Sequence, residues 1–275
     1  MIPAVKEAYH RIEEALTKID SHEEWTKFLS FHSKFHNYSF QNSMLIYDQY
    51  PQATFVAGFK TWQNLGRHVK KGEKAIKIFA PCKYKTEDKA TNDPIYVIKG
   101  FKLVNVFDID QTEGDEVLLP VLVTGLKGNV GNADVVYKAL QEALELPVKE
   151  LSDLTAKGHY NETSKAITIN SSLDTIHKIK TLLHEYAHYI HVTHYPDNEP
   201  EDLCELIAES VAFIVSNYLN FDTSDYSFPY IASWLKDPKE LKIIGSKVTK
   251  IASDIISLLQ SSDKGLTLMP ESPTY

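Results

Sequence analysis

The chain has 275 residues, of which 43% are hydrophobic and 24% are charged, and its formal net charge at pH 7 is −8. With 11 glycines, 12 prolines and no biased tract, this composition excludes collagen-like, coiled-coil and wholly disordered proteins. The two cysteines lie too far apart for a zinc ribbon or a secreted disulfide scaffold, and no stretch reaches the roughly 18 apolar residues of a membrane span. We therefore expect a folded cytoplasmic protein that has no membrane partner.

The N-terminal elements are predicted from apolar spacing and from turn residues. Helical spacing predicts a helix over residues 3–19, a second helix capped by Ser21, and a third helix over residues 40–50. Two runs rich in Ile, Val, Phe and Tyr, residues 75–85 and 95–107, flank a polar segment and predict a β-hairpin. Glycines then recur between residues 114 and 131, so we place a domain boundary near residue 120.

The second half is predicted to be mainly helical around a short strand pair. The pattern predicts a helix over 133–144, strands at 159–161 and 166–170, and a long helix that Ser171 or Ser172 can cap. Another helix starts near Pro200.

Together these elements predict an α+β fold with two domains. Residues 1–120 form a helical unit with a β-hairpin or small antiparallel sheet, and residues 121–275 form a mostly helical unit with a short sheet.

Charge and aromatic residues are unevenly distributed along the chain. Residues 60–89 carry nine basic and three acidic residues, a net charge of +6, whereas residues 197–210 carry six acidic residues and no basic one. Eleven of the thirty aromatic residues fall within residues 25–62. Aromatic faces beside lysines suit single-stranded nucleic acid, because bases stack on rings and the backbone is negatively charged. An aromatic core beside a solvated basic hairpin explains the same composition, and composition alone favours this alternative.

The strongest chemical signal is the pentapeptide His184-Glu185-Tyr186-Ala187-His188 in the long helix. Four residues turn an α-helix through about 400°, so both imidazoles project from one face and can share one ion. Glu185 lies about 100° from His184 around the helix axis. There it can act as a general base beside the metal without coordinating it.

A catalytic zinc normally has three protein ligands, so a third ligand is expected. His194 has the spacing of a metzincin ligand, but no glycine breaks the helix before it. If the next helix runs antiparallel, Glu205 lies level with His188, and Glu209 lies level with His184. We therefore predict Glu205 as the third ligand and Glu209 as the acceptor that orients His184. An ordinary solvated acidic face is the alternative.

Two stretches of the chain resemble known proteins. The segment NYSFQNSMLIYDQYPQATFVAGFKTWQNLGRHVKKGEKAIKIFAPCKYK, followed by FKLVNVFDIDQTEG, resembles the N-terminal single-stranded-DNA-binding domain of ArdC-type antirestriction proteins. The segments LLHEYAHYIH and CELIAESVAFIV are similar to the zincin-like metallopeptidase domain of these proteins, to the ImmA/IrrE group and, more distantly, to gluzincins. The gluzincin pattern falls on Glu205 and Glu209, in agreement with the helix-depth argument.

The resemblance implies a metallopeptidase with Zn²⁺, or another divalent metal such as Mn²⁺, and a first domain that binds single-stranded DNA. The resemblance also implies that the protein is an antirestriction protein or an accessory protein of a mobile element or phage. The resemblance and the basic window at residues 60–89 together indicate eight residues for DNA contact. They are Asn42, Gln49, Trp62, Arg67, Lys70, Lys71, Lys74 and Lys77. The protein or peptide substrate is not identified by the sequence. The alternative function is a non-catalytic protein that shields single-stranded DNA and has a structural or vestigial metal site.

Overall fold

The computed structural model describes residues 3–87, 94–116, 132–195, 199–221, 228 and 237–261. They group into two compact units, the first built from the described residues of Met1–Thr17 and Gln41–Leu119, the second from those of Lys18–Phe40 and Pro120–Pro270. The second predicted helix therefore groups with the C-terminal unit, whereas from the sequence we expect it in the N-terminal one. The expected boundary near residue 120 lies outside the described residues.

The first unit combines three helices with two small antiparallel sheets. Its helices are α1 (Pro3–Thr17), α3 (Phe40–Gln49, whose first residue groups with the second unit) and α4 (Phe59–Asn64). Its strands are β1 (Val56–Gly58), β2 (Arg67–Val69), β3 (Ile76–Glu87), β4 (Pro94–Asp108) and β5 (Thr112–Gly114). The strand orders are β1-β4-β3 and β2-β5, so the predicted hairpin is confirmed as β3–β4. The short helix α4 has no counterpart among the predicted elements.

Two buried side chains connect β4 to the segments around it. Trp62 of α4 is fully buried, and its indole Nε1 donates a hydrogen bond to the carbonyl oxygen of Phe107, 2.9 Å away. Asp108 is also fully buried, and its carboxylate accepts hydrogen bonds from the backbone N–H groups of Thr54 and Phe55, at 2.8 and 3.0 Å. A buried carboxylate needs such donors, so Asp108 fixes the approach to β1.

The second unit is mostly helical and contains one three-stranded sheet. Its helices are α2 (His22–Lys34), α5 (Ala133–Ala143), α6 (Thr175–His194), α7 (Glu201–Tyr218) and α8 (Pro238–Ser261). Its strands are β6 (Val148–Leu151), β7 (Gly158–Asn161) and β8 (Ala166–Asn170), in the order β6-β8-β7. β8 pairs parallel with β6, which was not predicted, and antiparallel with β7, which was. The two units together confirm the predicted α+β fold.

The start of α6 differs from the sequence prediction. The helix begins at Thr175, and its N-cap is Asp174, whose carboxylate accepts the backbone N–H of His177 at 3.1 Å. The predicted serine cap is wrong because Ser172 lies in the preceding turn, where its hydroxyl donates to Asn170 Oδ1 at 2.6 Å. The histidine spacing on α6 is unaffected by this shift.

Helix α7 lies in the core of the second unit, in contact with α2, α6 and α8. Trp25 of α2 is fully buried and donates through Nε1 to Ser210 Oγ of α7, 3.1 Å away. A helix that is covered on several sides is apolar nearly all round, and most residues of α7 are buried. Among the described residues, no helix is both long and apolar enough to cross a membrane.

We predict that Gly245→Ala destabilises the protein. A Cβ atom at Gly245 of α8 would lie 2.2 Å from Cε2 of the buried Phe40 ring, which packs edge-on against Phe28. Overpacking of this kind costs about 1–3 kcal/mol, and the better helix propensity of alanine offsets up to about 1 kcal/mol of it. Urea denaturation should therefore show a free energy of unfolding that is lower by about 1–2 kcal/mol.

The control for this prediction is Ile243→Ala on the same helix. Ile243 is exposed, so its substitution should change the free energy of unfolding by no more than about 0.5 kcal/mol. Equal urea concentrations at the midpoint of unfolding for Gly245→Ala and the unmodified chain would contradict the close packing of α8 against Phe40.

Candidate functional site

Three of the predicted ligand side chains meet between α6 and α7. His184 Nε2 and His188 Nε2 lie 3.0 Å apart. Glu205 of α7 places one carboxylate oxygen 3.3 Å from His184 Nε2 and the other 3.2 Å from His188 Nε2. The histidines are about one-fifth exposed and Glu205 is 43% exposed, so the cluster is accessible to solvent.

This arrangement fits a divalent metal ion. Metal bonds of about 2.0–2.2 Å at angles near 90–110° separate neighbouring ligand atoms by about 3.0–3.5 Å, which is the spacing within this triad. Two imidazole nitrogens and one carboxylate form a donor set typical of catalytic metal centres that leave a position open for substrate. His184, His188 and Glu205 could therefore hold a metal ion.

Glu209 contacts the opposite side of the His184 ring. Its carboxylate oxygen lies 3.0 Å from His184 Nδ1. A proton on Nδ1 donates to Glu209 and leaves the lone pair of Nε2 directed at His188 and Glu205. The structure thus brings Glu209 to His184, and its role in orienting the ring stays a prediction.

The protein groups alone place a proton on His184. Burial lowers the pKa of His184, but hydrogen bonds with Glu205 and Glu209 outweigh it and raise the pKa to about 10. Hydrogen bonds from His184 and His188 hold the pKa of Glu205 well below its usual range. The carboxylate is therefore ionised at neutral pH, and a metal ion has to displace the proton from His184.

Glu185 lies beside the triad and is oriented by the neighbouring sheet. The side chain is only 9% exposed, and Oε2 accepts the backbone N–H of Tyr160 in β7 at 2.8 Å. The ring of Tyr160 in turn contacts that of Tyr189 on α6, with centroids 5.5 Å apart. The sequence predicts β7 but carries no signal that its backbone binds Glu185.

His194 is not brought into the triad. It is an exposed residue at the last position of α6, and it belongs to no group of metal-ligating side chains among the described residues. The helix continues past His191 without a break, as expected from the lack of a glycine.

A buried cluster that was not predicted lies next to the start of α7. His191 Nε2 is 2.8 Å from one carboxylate oxygen of Glu199, and the ammonium group of Lys247 on α8 pairs with the other oxygen. Cys204 Sγ lies near the Glu199 carbonyl oxygen, at 4.0 Å. His191, Glu199 and Cys204 have metal-ligand chemistry, but the ammonium group already neutralises Glu199 and opposes a second cation. We assign the cluster to holding α7 in place.

Several residues predicted to contact DNA are engaged within the first unit. Asn42 exchanges two hydrogen bonds with the backbone of Phe79, at 2.8 and 3.0 Å. Gln49 does the same with the backbone of Lys77, at 3.0 Å in both directions. Trp62 is fully buried, so its ring has no face available for a base. These side chains position α3 and α4 against β3 and β4.

The basic residues of the same set divide into two groups. The guanidinium of Arg67 makes three hydrogen bonds to Thr112 and Asp115, at 2.6–3.0 Å, and Lys70 Nζ donates to the carbonyl oxygen of Asp110 at 2.9 Å. Lys71, Lys74 and Lys77 are exposed, and Lys70 is exposed as well despite its hydrogen bond. Of the eight predicted residues, these four lysines present charge to solvent.

Comparison with known proteins shows which proteins the chain is similar to. Residues 4–119 match the family model described as the N-terminal domain of anti-restriction factor ArdC. The fold is similar to crystal structures of the antirestriction protein ArdC from plasmid R388, which are 22% identical and matched over 81% of this chain and 84% of that one. The TM-score is 0.55 for the metal-free structure and 0.52 for the Mn(II)-bound structure. Residues 4–119 are thus similar to the N-terminal domain of ArdC, and the fold is similar to that of the R388 protein.

A relative of the chain is also found among curated proteins. An uncharacterized protein of Bacillus anthracis is 26% identical, and the match covers 95% of this chain and 52% of that protein. The chain thus spans about half the length of the curated relative that it matches. The predicted resemblance of the N-terminal part to ArdC is confirmed, and the resemblance of the second part to zincin-like metallopeptidases stays a prediction.

We predict that metal binding at the triad releases a proton and depends on pH. Because the pKa of His184 is about 10, its ring is protonated below that pH. The apparent affinity for Mn²⁺ or Zn²⁺ should therefore rise by about tenfold per pH unit as the pH is raised from 6 towards 9. Isothermal titration calorimetry in buffers of different ionisation enthalpy measures the protons released.

Glu209→Gln tests the cause of this dependence. Without the Glu209 carboxylate the pKa of His184 falls, so fewer protons should be released at pH 8. Glu201→Gln, an exposed carboxylate at the start of the same helix, is the control and should release as many as the unmodified chain. Proton release that is unchanged by Glu209→Gln would contradict the role given to this contact.

Proposed function

We propose that this ArdC-type chain is a metal-dependent hydrolase of the peptidase type that also binds single-stranded DNA, in an antirestriction role. The observation that carries the proposal is the triad of His184, His188 and Glu205, with ligand atoms 3.0–3.3 Å apart and Glu185 beside them. The related ArdC protein of plasmid R388 has a Mn(II)-bound crystal structure, which supports a divalent metal in this chain. Zn²⁺ suits the same donors.

The side chains around the triad have distinct roles in this proposal. A divalent ion held by the triad would supply Lewis acidity toward a peptide carbonyl and toward water. Glu185 acts as the general base and carries the proton from water to the leaving amine. The Tyr160 N–H holds Glu185 Oε2, so the other oxygen is free of this bond and serves as the proton acceptor. Glu209 keeps the proton of His184 on Nδ1, so that Nε2 remains available to the metal.

We predict that Glu185→Gln abolishes hydrolysis but preserves metal binding. The amide keeps the shape of the side chain but cannot accept the proton, and loss of a general base costs about 10²–10⁴-fold in rate. Cleavage of fluorescein-labelled casein and of a random peptide library, each with one equivalent of Zn²⁺ or Mn²⁺, measures the activity. Atomic absorption measures the metal content.

The control for this prediction is Glu162→Gln, an exposed carboxylate in the turn after β7, which should leave the rate unchanged. A Glu185→Gln protein that cleaves as fast as the unmodified chain would contradict the peptidase assignment. So would an unmodified, metal-loaded chain that cleaves neither substrate.

Binding of single-stranded DNA is proposed for the first unit. The supporting observations are the exposed lysines at positions 71, 74 and 77 and the match of residues 4–119 to the ArdC N-terminal domain. Lysines that neutralise phosphates release counterions, so the affinity falls as salt concentration rises. In this proposal the first unit recruits DNA and the second unit acts on a protein substrate.

We predict that replacing Lys71, Lys74 and Lys77 by Gln weakens DNA binding and flattens its salt dependence. Each phosphate contact contributes about −0.7 to the slope of log K against log salt for a single strand, so the slope should become shallower by about 2. Fluorescence anisotropy of a labelled (dT)20 strand between 25 and 200 mM NaCl measures both quantities.

The control replaces three exposed lysines of the second unit, Lys138, Lys239 and Lys250, and should keep the original slope. If the unmodified chain does not bind at 25 mM NaCl, or binds equally at all salt concentrations, the DNA-binding proposal fails.

A further inference from the structure

Exposed apolar side chains are concentrated on the outer part of the β3–β4 hairpin. We define the arm as residues 81–87 of β3 and 94–102 of β4. Eleven large hydrophobic side chains are exposed in the part of the chain that the structure describes, and five of them lie on the arm. These five are Tyr84, Ile95, Tyr96, Ile98 and Phe101. Tyr96 is 68% exposed and Tyr84 is 52% exposed, so much of each ring faces solvent.

The arm extends beyond the third strand of its sheet. β1 pairs with β4 only at residues 106–108, so β3 and β4 continue as a two-stranded ribbon. The register shifts between Pro81 and Lys83, and Gly100 on the facing strand has φ of +143°, a value that favours glycine. The irregularity lies at the base of the arm, beyond the residues that pair with β1.

Lysines alternate with these apolar side chains on both faces of the arm. Residues opposite each other in an antiparallel pair share a face, and Lys83 faces Ile98 while Lys85 faces Tyr96. On the other face, Lys99 Nζ lies 5.6 Å from the centre of the Tyr84 ring. The described residues of the arm carry four lysines and one glutamate, a net charge of +3. Each exposed tyrosine therefore has a lysine next to it.

We propose that single-stranded DNA stacks its bases on the arm, with Tyr96 on one face and Tyr84 on the other as the stacking rings. The inference rests on the proposed DNA binding of the first unit. Trp25, Phe28 and Trp62 of the aromatic stretch are fully buried, whereas Phe59 of that stretch is 48% exposed and lies outside the arm. The arm supplies exposed rings next to cations, which is the combination that single strands require.

The interleaved lysines favour a nucleic acid over a protein or a second copy of the chain. A protein interface would bury a continuous apolar patch, and lysines are depleted from the centres of such patches because their desolvation is costly. Bases stack one at a time on separate rings, and the phosphates between them can pair with Lys83, Lys85 and Lys99 without burying these side chains. The arm thus has the charge and the spacing of polar and apolar groups that suit a single strand.

The test compares two double variants in anisotropy titrations at 50 mM NaCl. Tyr84→Ala/Tyr96→Ala removes both rings, and Phe59→Ala/Leu65→Ala removes two exposed apolar side chains from the same unit outside the arm. Stacking on one ring typically contributes about 1–3 kcal/mol, so loss of both rings should make the tyrosine variant bind labelled (dT)20 at least about 30-fold more weakly. The control variant should bind like the unmodified chain.

Three further measurements separate stacking from charge and from misfolding. An abasic strand of equal length keeps its phosphates but has no bases, so the tyrosine variant and the unmodified chain should bind it equally. Tyr84→Phe/Tyr96→Phe keeps the rings and should restore binding of (dT)20. Circular dichroism and thermal unfolding of every variant should match those of the unmodified chain, because the substituted side chains are exposed.

Each opposite result overturns the assignment of the arm. If the tyrosine variant binds (dT)20 normally while the Lys71, Lys74 and Lys77 variant binds weakly, DNA binding stands and the arm is not its stacking surface. An equal loss on the abasic strand, or an equal loss in the control variant, rejects stacking. A concentration-dependent dimer that the tyrosine substitutions abolish makes the arm a self-association surface. Failure of the unmodified chain to bind any strand rejects the arm and the DNA-binding proposal together.

Discussion

The close approach of α6 and α7 is the constraint on which the candidate metal centre depends. Two imidazole nitrogens and a carboxylate lie 3.0–3.3 Å apart, and their lone pairs repel unless a proton or a cation lies among them. Ala208 and Ala212 follow Glu205 and Glu209 by three residues each, so they share a face of α7, and both are buried. Small side chains there allow the helices to pack closely enough for Glu205 to reach both rings.

Contacts from outside α6 and α7 hold this geometry. Lys247 of α8 pairs with Glu199, and Glu199 contacts His191, so the residues leading into α7 are tied to α6 and to α8. On the other side, the backbone of Tyr160 holds Glu185. The general base is therefore oriented by a strand of the sheet, while the ligands are oriented by helix packing.

Residue type does not decide the use of an aromatic side chain in this chain. The aromatic stretch at residues 25–62 contributes Trp25 and Phe28 to the core of the second unit and Trp62 to the core of the first, where they are fully buried. Exposed rings lie at Phe59 of the same stretch and on the arm, within a hairpin that the sequence predicts as two ordinary strands. Charge behaves similarly, because the basic window of residues 60–89 contains Arg67, which bonds within its own unit, and lysines that face solvent.

The sequence by itself determined the α+β class, the similarity of the N-terminal part to ArdC, and the placing of His184, Glu185 and His188 on one helix. The placing on one helix follows from local spacing, because 3.6 residues per turn set which side chains share a face. Helix depth was sufficient to bring Glu205 and Glu209 level with the histidines, since only six residues separate α6 from α7. Only the tertiary structure decided the start of α6 at Thr175, the parallel strand β6, the grouping of α2 with the C-terminal unit and the bond from Tyr160 to Glu185. Each of these features depends on contacts with residues distant in the chain, or on which of several neighbouring polar residues caps the helix. The tertiary structure also decided that the Trp62 ring is buried and that the rings of the arm are exposed. Burial depends on how the whole molecule packs and not on the residue type.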